Sequence, residues 1–187
     1  MLPGVFFLVV GASGVGKDSI IGGAKRQLAG SQWIHFVERS ITRPADAGGE
    51  AHRFVAPDAF RELQANGAFC LSWRAHGWHY GIDGRVRDIV AGGRSAVANV
   101  SRTILDDARR DFSHVRVVNV TAPPERLEQR LRGRGRETEP DIAARLARAD
   151  RNTPAGPDVI ELANNGAIEE AVSRFVAILR AEHSSVR

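Results

Sequence analysis

The chain has 187 residues, 43% of them hydrophobic, a formal net charge of +4 and a pI near 10.1. That length suits one compact domain with a sizeable core, and the lack of long polar tracts argues against wholesale disorder. The longest apolar run, residues 5–10, is too short to span a bilayer and lacks the basic start and cleavage site of a secretory leader, so a cytoplasmic protein without membrane contact is expected. The single cysteine, Cys70, forms no internal disulfide, suits a reducing compartment and is expected to be a buried, small apolar residue.

Residues 5–10 read as a fully buried strand, short and rich in Val and Phe. A glycine-rich turn follows, then a helix over about residues 18–28. Residues 33–43 predict a second strand and turn closed by Pro44, and 45–49 a loop. Pro57 opens a short helix that ends at Ala65, before Asn66-Gly67. Residues 69–73 predict a strand and 75–81 a turn or hairpin. A helix over 83–91 stops at Gly92-Gly93, a buried strand covers 95–100, and a helix covers 103–110. Residues 115–120 form the clearest later strand. Thr121 then offers an N-cap, and Pro123-Pro124 sit where the first helical turn tolerates proline, in a helix running to about Arg132. A basic loop over 133–138, a helix over 140–150, a loop over 153–157, a strand over 159–163 and an amphipathic helix over 168–181 complete the chain. Strands alternating with helices predict an α/β fold, a parallel sheet covered by helices on both faces, with ligands at the carboxyl ends of the strands.

The turn after the first strand reads Gly11, Ala12, Ser13, Gly14, Val15, Gly16, Lys17, Asp18, Ser19, close to the phosphate-loop pattern G-x-x-x-x-G-K-[ST]. Its glycines permit backbone angles closed to other residues, so successive N–H groups can turn inward onto phosphate oxygens. The helix that follows aims its positive end at the same place, and Lys17 reaches the β and γ phosphates. All nine residues are therefore expected to bind ATP. Asp18 departs from the pattern, standing where a hydroxyl normally meets Mg²⁺. It reads either as a hard oxygen ligand, with Ser19 beside it, or as a cap on the helix.

Further motifs carry a resemblance. Residues 40–44 (Ser-Ile-Thr-Arg-Pro) with Gly49-Glu50 and Phe54-Val55, the stretch from Phe69 to Tyr80-Gly81, residues 132–139, Arg145-Leu146 and Asn164-Asn165-Gly166 together resemble guanylate-kinase-like P-loop kinases over nearly the whole chain. The departures are specific. Guanylate kinases place a guanine-reading carboxylate shortly after the position of Phe69; here stand Cys70, Leu71 and Ser72. A second carboxylate, after the strand over 95–100, is replaced by Asn99-Val100-Ser101-Arg102. His52 stands where the family usually has a phosphate-binding tyrosine, and a family arginine near Asp46 is absent. The blocks at 11–19, 41–44, 72–81 and 99–102 resemble one branch in particular, the ribose 1,5-bisphosphate phosphokinases of phosphonate catabolism.

That resemblance implies a P-loop fold with a small acceptor-binding insertion (about residues 33–87) and a basic lid (about 132–151). It implies ATP and Mg²⁺ as cosubstrate and metal, a phosphorylated sugar as partner, and 5-phosphoribosyl 1-diphosphate as product. The expected catalytic residues are Lys17, Arg134, Arg136 and Arg145, with Arg132 and Arg148 as weaker candidates. Ser40, Arg43, His52, Tyr80, Asn99 and Arg102 are expected to hold the acceptor, and Asp18 with Ser19 the metal. Arginine suits this work because its planar fork grips phosphate bidentately and keeps its charge. His76 and His79 read as turn residues rather than zinc ligands, since no standard spacing accompanies them. A guanylate or other nucleoside-monophosphate kinase is the rival reading; a non-catalytic module and a basic nucleic-acid binder fit less well. Either a monomer or a homodimer is compatible with the chain. Lys17→Ala is expected to abolish phosphoryl transfer chiefly through the chemical step, read as a loss of kcat in single-turnover measurements with saturating ATP.

Overall fold

The computed structural model describes residues 2–44, 51–133 and 153–185. Strand β1 (Phe6–Gly11) lies in the middle of a five-stranded parallel sheet. Its neighbours are β7 (Ser95–Asn99) on one side and β8 (Val115–Thr121) on the other, with β2 (Ile34–Phe36) and β9 (Val159–Ala163) at the edges. A second sheet of four short strands runs in the order β4 (Arg53–Phe54), β3 (Ser40–Ile41), β6 (Trp78–Asp83), β5 (Phe69–Ala75).

The period of two along β1 explains the layers. Phe6, Leu8 and Val10 face one side and Phe7 and Val9 the other, and all five are fully buried. The first face packs against Val86 and Val90 of α3 (Arg85–Ala91) and Leu105 and Ala108 of α4 (Leu105–Asp111). The second packs against Ile20 and Ala24 of α1 (Lys17–Gln27), Leu127 of α5 (Pro124–Gly133), and Ala171, Phe175 and Leu179 of α6 (Ile168–Ser185). Helices on both faces leave both sides of the strand apolar, which is why it reads as an unbroken hydrophobic run. The small sheet shares the first core: Ile41, Cys70, Leu71, Trp73, Tyr80 and Ile82 join the cluster built on Phe6 and Leu8.

Most expected elements stand within one or two residues of their places, and α2 (Pro57–Ala65) and β9 have the expected bounds. Three differ. The segment over 33–43 is not one strand: β2 pairs with β7 in the large sheet, and β3 pairs with β4 and β6 in the small one, because the chain crosses between sheets around Glu38. The stretch 75–81 is a hairpin whose two-residue turn, His76-Gly77, has both φ values positive (51° and 82°), the primed geometry that matches strand twist. His76 is thus a turn residue, but His79 lies within β6. Thr121 is not a helix cap: it ends β8, paired with Ala163, and its carbonyl accepts from the Asn164 N–H. The expected loops over 45–49 and 133–138 and the helix over 140–150 lie outside the described residues, apart from Gly133, which ends α5.

His183, silent in the sequence, is a packing residue. Its Nδ1 meets Ser95 Oγ at 2.8 Å, Ser95 Oγ accepts from the Val5 N–H, and its ring lies 4.6 Å from that of Trp33. This ties α6 to the edge of the main sheet. No helix among the described residues is long and apolar enough to cross a membrane. Phe175→Ala, which empties a fully buried site between α6 and β1, should lower stability by about 3–5 kcal/mol in urea unfolding.

Candidate active site

The glycine-rich turn lies between β1 and α1, at the carboxyl edge of the main sheet. Gly11 and Gly16 adopt φ values of 145° and 100°, and Gly16 caps the helix. A Cβ on Gly11 would fall 2.4 Å from the Val120 carbonyl oxygen, and one on Gly16 would fall 2.6 Å from Asn164 Nδ2. Glycine is therefore required twice over, by the dihedral and by the neighbouring chain. Lys17 Nζ donates to the carbonyls of Gly11 (2.8 Å) and Ala12 (3.0 Å), so the ammonium lies folded across the turn.

The loop is held from outside as well. The Val15 carbonyl accepts from Asn164 Nδ2 at 2.8 Å and from an Arg130 guanidinium N–H at 3.2 Å. Arg130 also donates to the Asn164 carbonyl at 3.2 Å. Asn164 is 1% exposed, and its Oδ1 has no hydrogen-bond partner among the described residues. These two residues, one in α5 and one just after β9, thus set the outer wall of the loop. Neither was singled out as a site residue in the sequence. The Asn-Asn-Gly turn was its only signal for Asn164, and Arg130 sits in an arginine-rich stretch where spacing does not separate it from its neighbours.

Asp18 is the second residue of α1, and the helix shows no side-chain capping bond. Capping is therefore not its role. Its Oδ1 accepts from Asn99 Nδ2 at 2.6 Å, at the carboxyl end of β7. Asp18 and Ser19 are both exposed at the start of α1. A carboxylate and a hydroxyl beside a phosphate loop are hard oxygen donors, so this donor set fits Mg²⁺. No cluster of three or more His, Cys, Asp or Glu side chains suited to a metal occurs among the described residues.

The acceptor candidates gather where the two sheets meet. Arg43 and His52 face one another: His52 Nε2 lies 2.9 Å from the Arg43 carbonyl, and Nδ1 lies 3.5 Å from an Arg43 guanidinium nitrogen. The carbonyl can only accept, so it sets the tautomer with the proton on Nε2. Ser40 is buried in β3, level with Gly81 of β6. Thr42 is locked by the β6 backbone, its Oγ1 accepting from the His79 N–H at 2.9 Å. Tyr80 is 6% exposed with its ring stacked on Trp73 (5.2 Å, 7° between planes), so its aromatic body is core. Arg102 donates towards Asn119 Oδ1 at 3.5 Å, and Asn119 Nδ2 in turn bonds both carboxylate oxygens of Glu161.

One residue of this region escaped the sequence reading. Arg39 is only 8% exposed; its guanidinium stands 5.5 Å over the Tyr80 ring and donates to the Asn99 carbonyl at 3.0 Å. Its only sequence signal is the alternation through β3, which puts Arg39 on the side of the core residue Ile41. Arg132 forms an exposed i,i+4 pair with Glu128 on α5. Arg134, Arg136, Arg145 and Arg148 lie outside the described residues. Cys70 is buried, as expected; desolvation pushes its thiol up to about 11, which keeps it neutral and unreactive at physiological pH.

At the position of the guanine-reading carboxylate, Cys70 and Leu71 are buried and the Ser72 hydroxyl accepts from Gln64 Nε2 at 2.9 Å. The model of the guanylate kinase family matches residues 5–182. A ribose 1,5-bisphosphate phosphokinase PhnN of Rhizobium etli is 44% identical over 176 residues, covering 94% of this chain and 89% of the relative. A bifunctional ribose 1,5-bisphosphokinase-thymidine phosphorylase of Azorhizobium caulinodans is 43% identical over all 187 residues, and the chain spans 27% of that protein's length. Among solved structures, a guanylate kinase from Anaplasma phagocytophilum superposes with a TM-score of 0.68 at 23% identity, covering 97% of this chain and 87% of the other. Asn164→Ala should weaken ATP binding by about 1–3 kcal/mol, because it frees the Val15 carbonyl from its buried donor. Calorimetric titration of a non-hydrolysable ATP analogue measures this.

Proposed function

The chain belongs to the guanylate kinase family, and we propose that within it this protein transfers the γ-phosphoryl group of ATP to the C1 phosphate of ribose 1,5-bisphosphate, giving 5-phosphoribosyl 1-diphosphate and ADP. The observation that carries this reading is the chemistry of the acceptor side. Cationic and hydrogen-bonding groups remain (Arg43 beside His52, Arg39, Arg102), while the two positions of guanine-reading carboxylates hold Cys70, Leu71 and Ser72 and the segment 99–102, neither with a carboxylate. A serine hydroxyl already engaged by Gln64 does not replace a carboxylate that takes two N–H donors from a purine edge. The names of relatives at 41–44% identity agree with this choice.

An oxygen of the C1 phosphate attacks the γ-phosphorus, the bond from that phosphorus to the β,γ-bridging oxygen breaks, and ADP leaves with the electron pair. The nucleophile is already an anion at neutral pH, so no general base is needed. Catalysis then consists of alignment and neutralisation of charge in a loose transition state. The loop amides of residues 11–19 hold the triphosphate, and Lys17 leaves its resting carbonyl partners to follow the β and γ phosphates. Asp18 and Ser19 would hold Mg²⁺, which neutralises phosphate charge when bound. Arg43 with His52 positions the acceptor, with Ser40, Tyr80, Asn99 and Arg102 lining the same region. Residues of about 33–87 serve as the acceptor-binding part, and those of about 132–151 as a lid whose Arg134, Arg136 and Arg145 neutralise the transferred group.

ADP release measured separately with ribose 1,5-bisphosphate and with GMP tests this reading. Turnover is expected with the sugar bisphosphate and not with GMP; the reverse pattern would make the protein a nucleoside-monophosphate kinase. Arg43→Met should raise KM for the sugar bisphosphate by about 1.5–3 kcal/mol of lost charge-assisted bonding while leaving KM for ATP near its original value.

A further inference from the structure

In P-loop enzymes the metal is held by a Ser or Thr hydroxyl of the loop and by a carboxylate from a separate acidic motif. Here the loop residue after Lys17 is Asp18, and the strand beside β1 is β7, with Asn99 level with Val9 at its carboxyl end. The two side chains are in direct contact, Asn99 Nδ2 to Asp18 Oδ1 at 2.6 Å. We propose that the metal-side carboxylate and its neutral partner have exchanged places: the loop supplies the anionic ligand through Asp18, and the strand supplies, in Asn99, the neutral amide that orients it. This rests on the reading of Asp18 as a Mg²⁺ ligand and adds to it a role for Asn99.

Three observations support the exchange. The charge count is the same, because an Asp–Asn pair carries one negative charge, as a Ser–Asp pair does. The contact also has one sense only: an ionised carboxylate accepts and cannot donate, so the amide must turn its NH₂ towards Asp18. Finally, the seat of Asn99 is rigid. Its carbonyl accepts from Arg39 at 3.0 Å, and the next N–H, that of Val100, donates to the Val9 carbonyl at 3.0 Å. Asn99 is therefore a positioning residue, which holds one carboxylate oxygen and leaves the other for the cation or a water of its shell. A second shell of this kind typically alters metal affinity by about 10–100-fold.

The isosteric exchange Asp18→Asn with Asn99→Asp tests the proposal, since it moves the charge across the contact and changes little else. The readout is the affinity for a non-hydrolysable ATP analogue by calorimetry, with Mg²⁺ and with EDTA, the ratio of the two being the metal-dependent gain. Asp18→Asn alone should reduce that gain by about 10-fold or more and leave the EDTA affinity unchanged. The double variant should recover the gain. If Asp18→Asn leaves the gain intact, both the metal reading and the exchange are wrong. If it removes the gain and the double variant does not recover it, the exchange alone is wrong and Asp18 keeps its metal. Should the double variant lose ATP affinity even in EDTA, Asp18→Ser with Asn99→Asp restores the loop hydroxyl and strand carboxylate directly, and the same recovery is required of it.

Discussion

The conformation of one short loop constrains the rest of the structure. For backbone amides to converge on a phosphate, the chain between β1 and α1 must pass through dihedrals that only glycine adopts without strain, at Gly11 and Gly16. Such a loop does not hold itself. Its Val15 carbonyl is anchored by Asn164 and Arg130, its first glycine lies against the Val120 carbonyl, and its third lies against the Asn164 amide. Four parts of the chain separated by up to 149 residues therefore meet at this loop. The parallel order of β7, β1, β8 and β9 brings their carboxyl ends to one edge. The double-sided apolar core beneath β1 lets that edge be rigid.

The acceptor side follows a different physical rule. A purine is read by groups that match its edge, whereas a sugar bisphosphate presents mainly charge. A site for the latter needs cations fixed in direction and has little use for carboxylates, which would repel it. Arg43 is oriented by His52, and Arg39 by the Tyr80 ring and the Asn99 carbonyl, the latter two belonging to strands β6 and β7. The small sheet is packed into the same hydrophobic cluster as α3 and α4, so these arginines are placed relative to the phosphate loop by the main core.

Much of this was legible in the sequence where local chemistry decides the outcome. The buried strand, the glycine pattern with Lys17, the Pro57 helix start and the short strand at 159–163 each follow from a few adjacent residues. What escaped depends on partners far along the chain. The split of 33–43 into two sheets could not be read because both pieces alternate in the same way. Thr121 has the composition of a helix cap, and only pairing with β9 keeps it in a strand. Arg39 and Arg130 carry no motif, and the Asn-Asn-Gly motif of Asn164 does not show what that residue holds; their roles arise from contacts 60, 115 and 149 residues away. Asp18 shows the middle case, since the sequence marked it as unusual but left capping and metal binding open, and the lack of a side-chain capping bond at the start of α1 removes the first.

Charge placement without purine recognition makes a sugar phosphate the acceptor. The most direct measurement is a competition followed by ³¹P nuclear magnetic resonance, with equal amounts of ribose 1,5-bisphosphate and GMP and a limiting amount of ATP. The predicted result is the appearance of a diphosphate on C1 of the sugar, with loss of the C1 phosphomonoester signal and retention of the C5 phosphate and GMP signals. Formation of GDP with both sugar phosphates intact would contradict it.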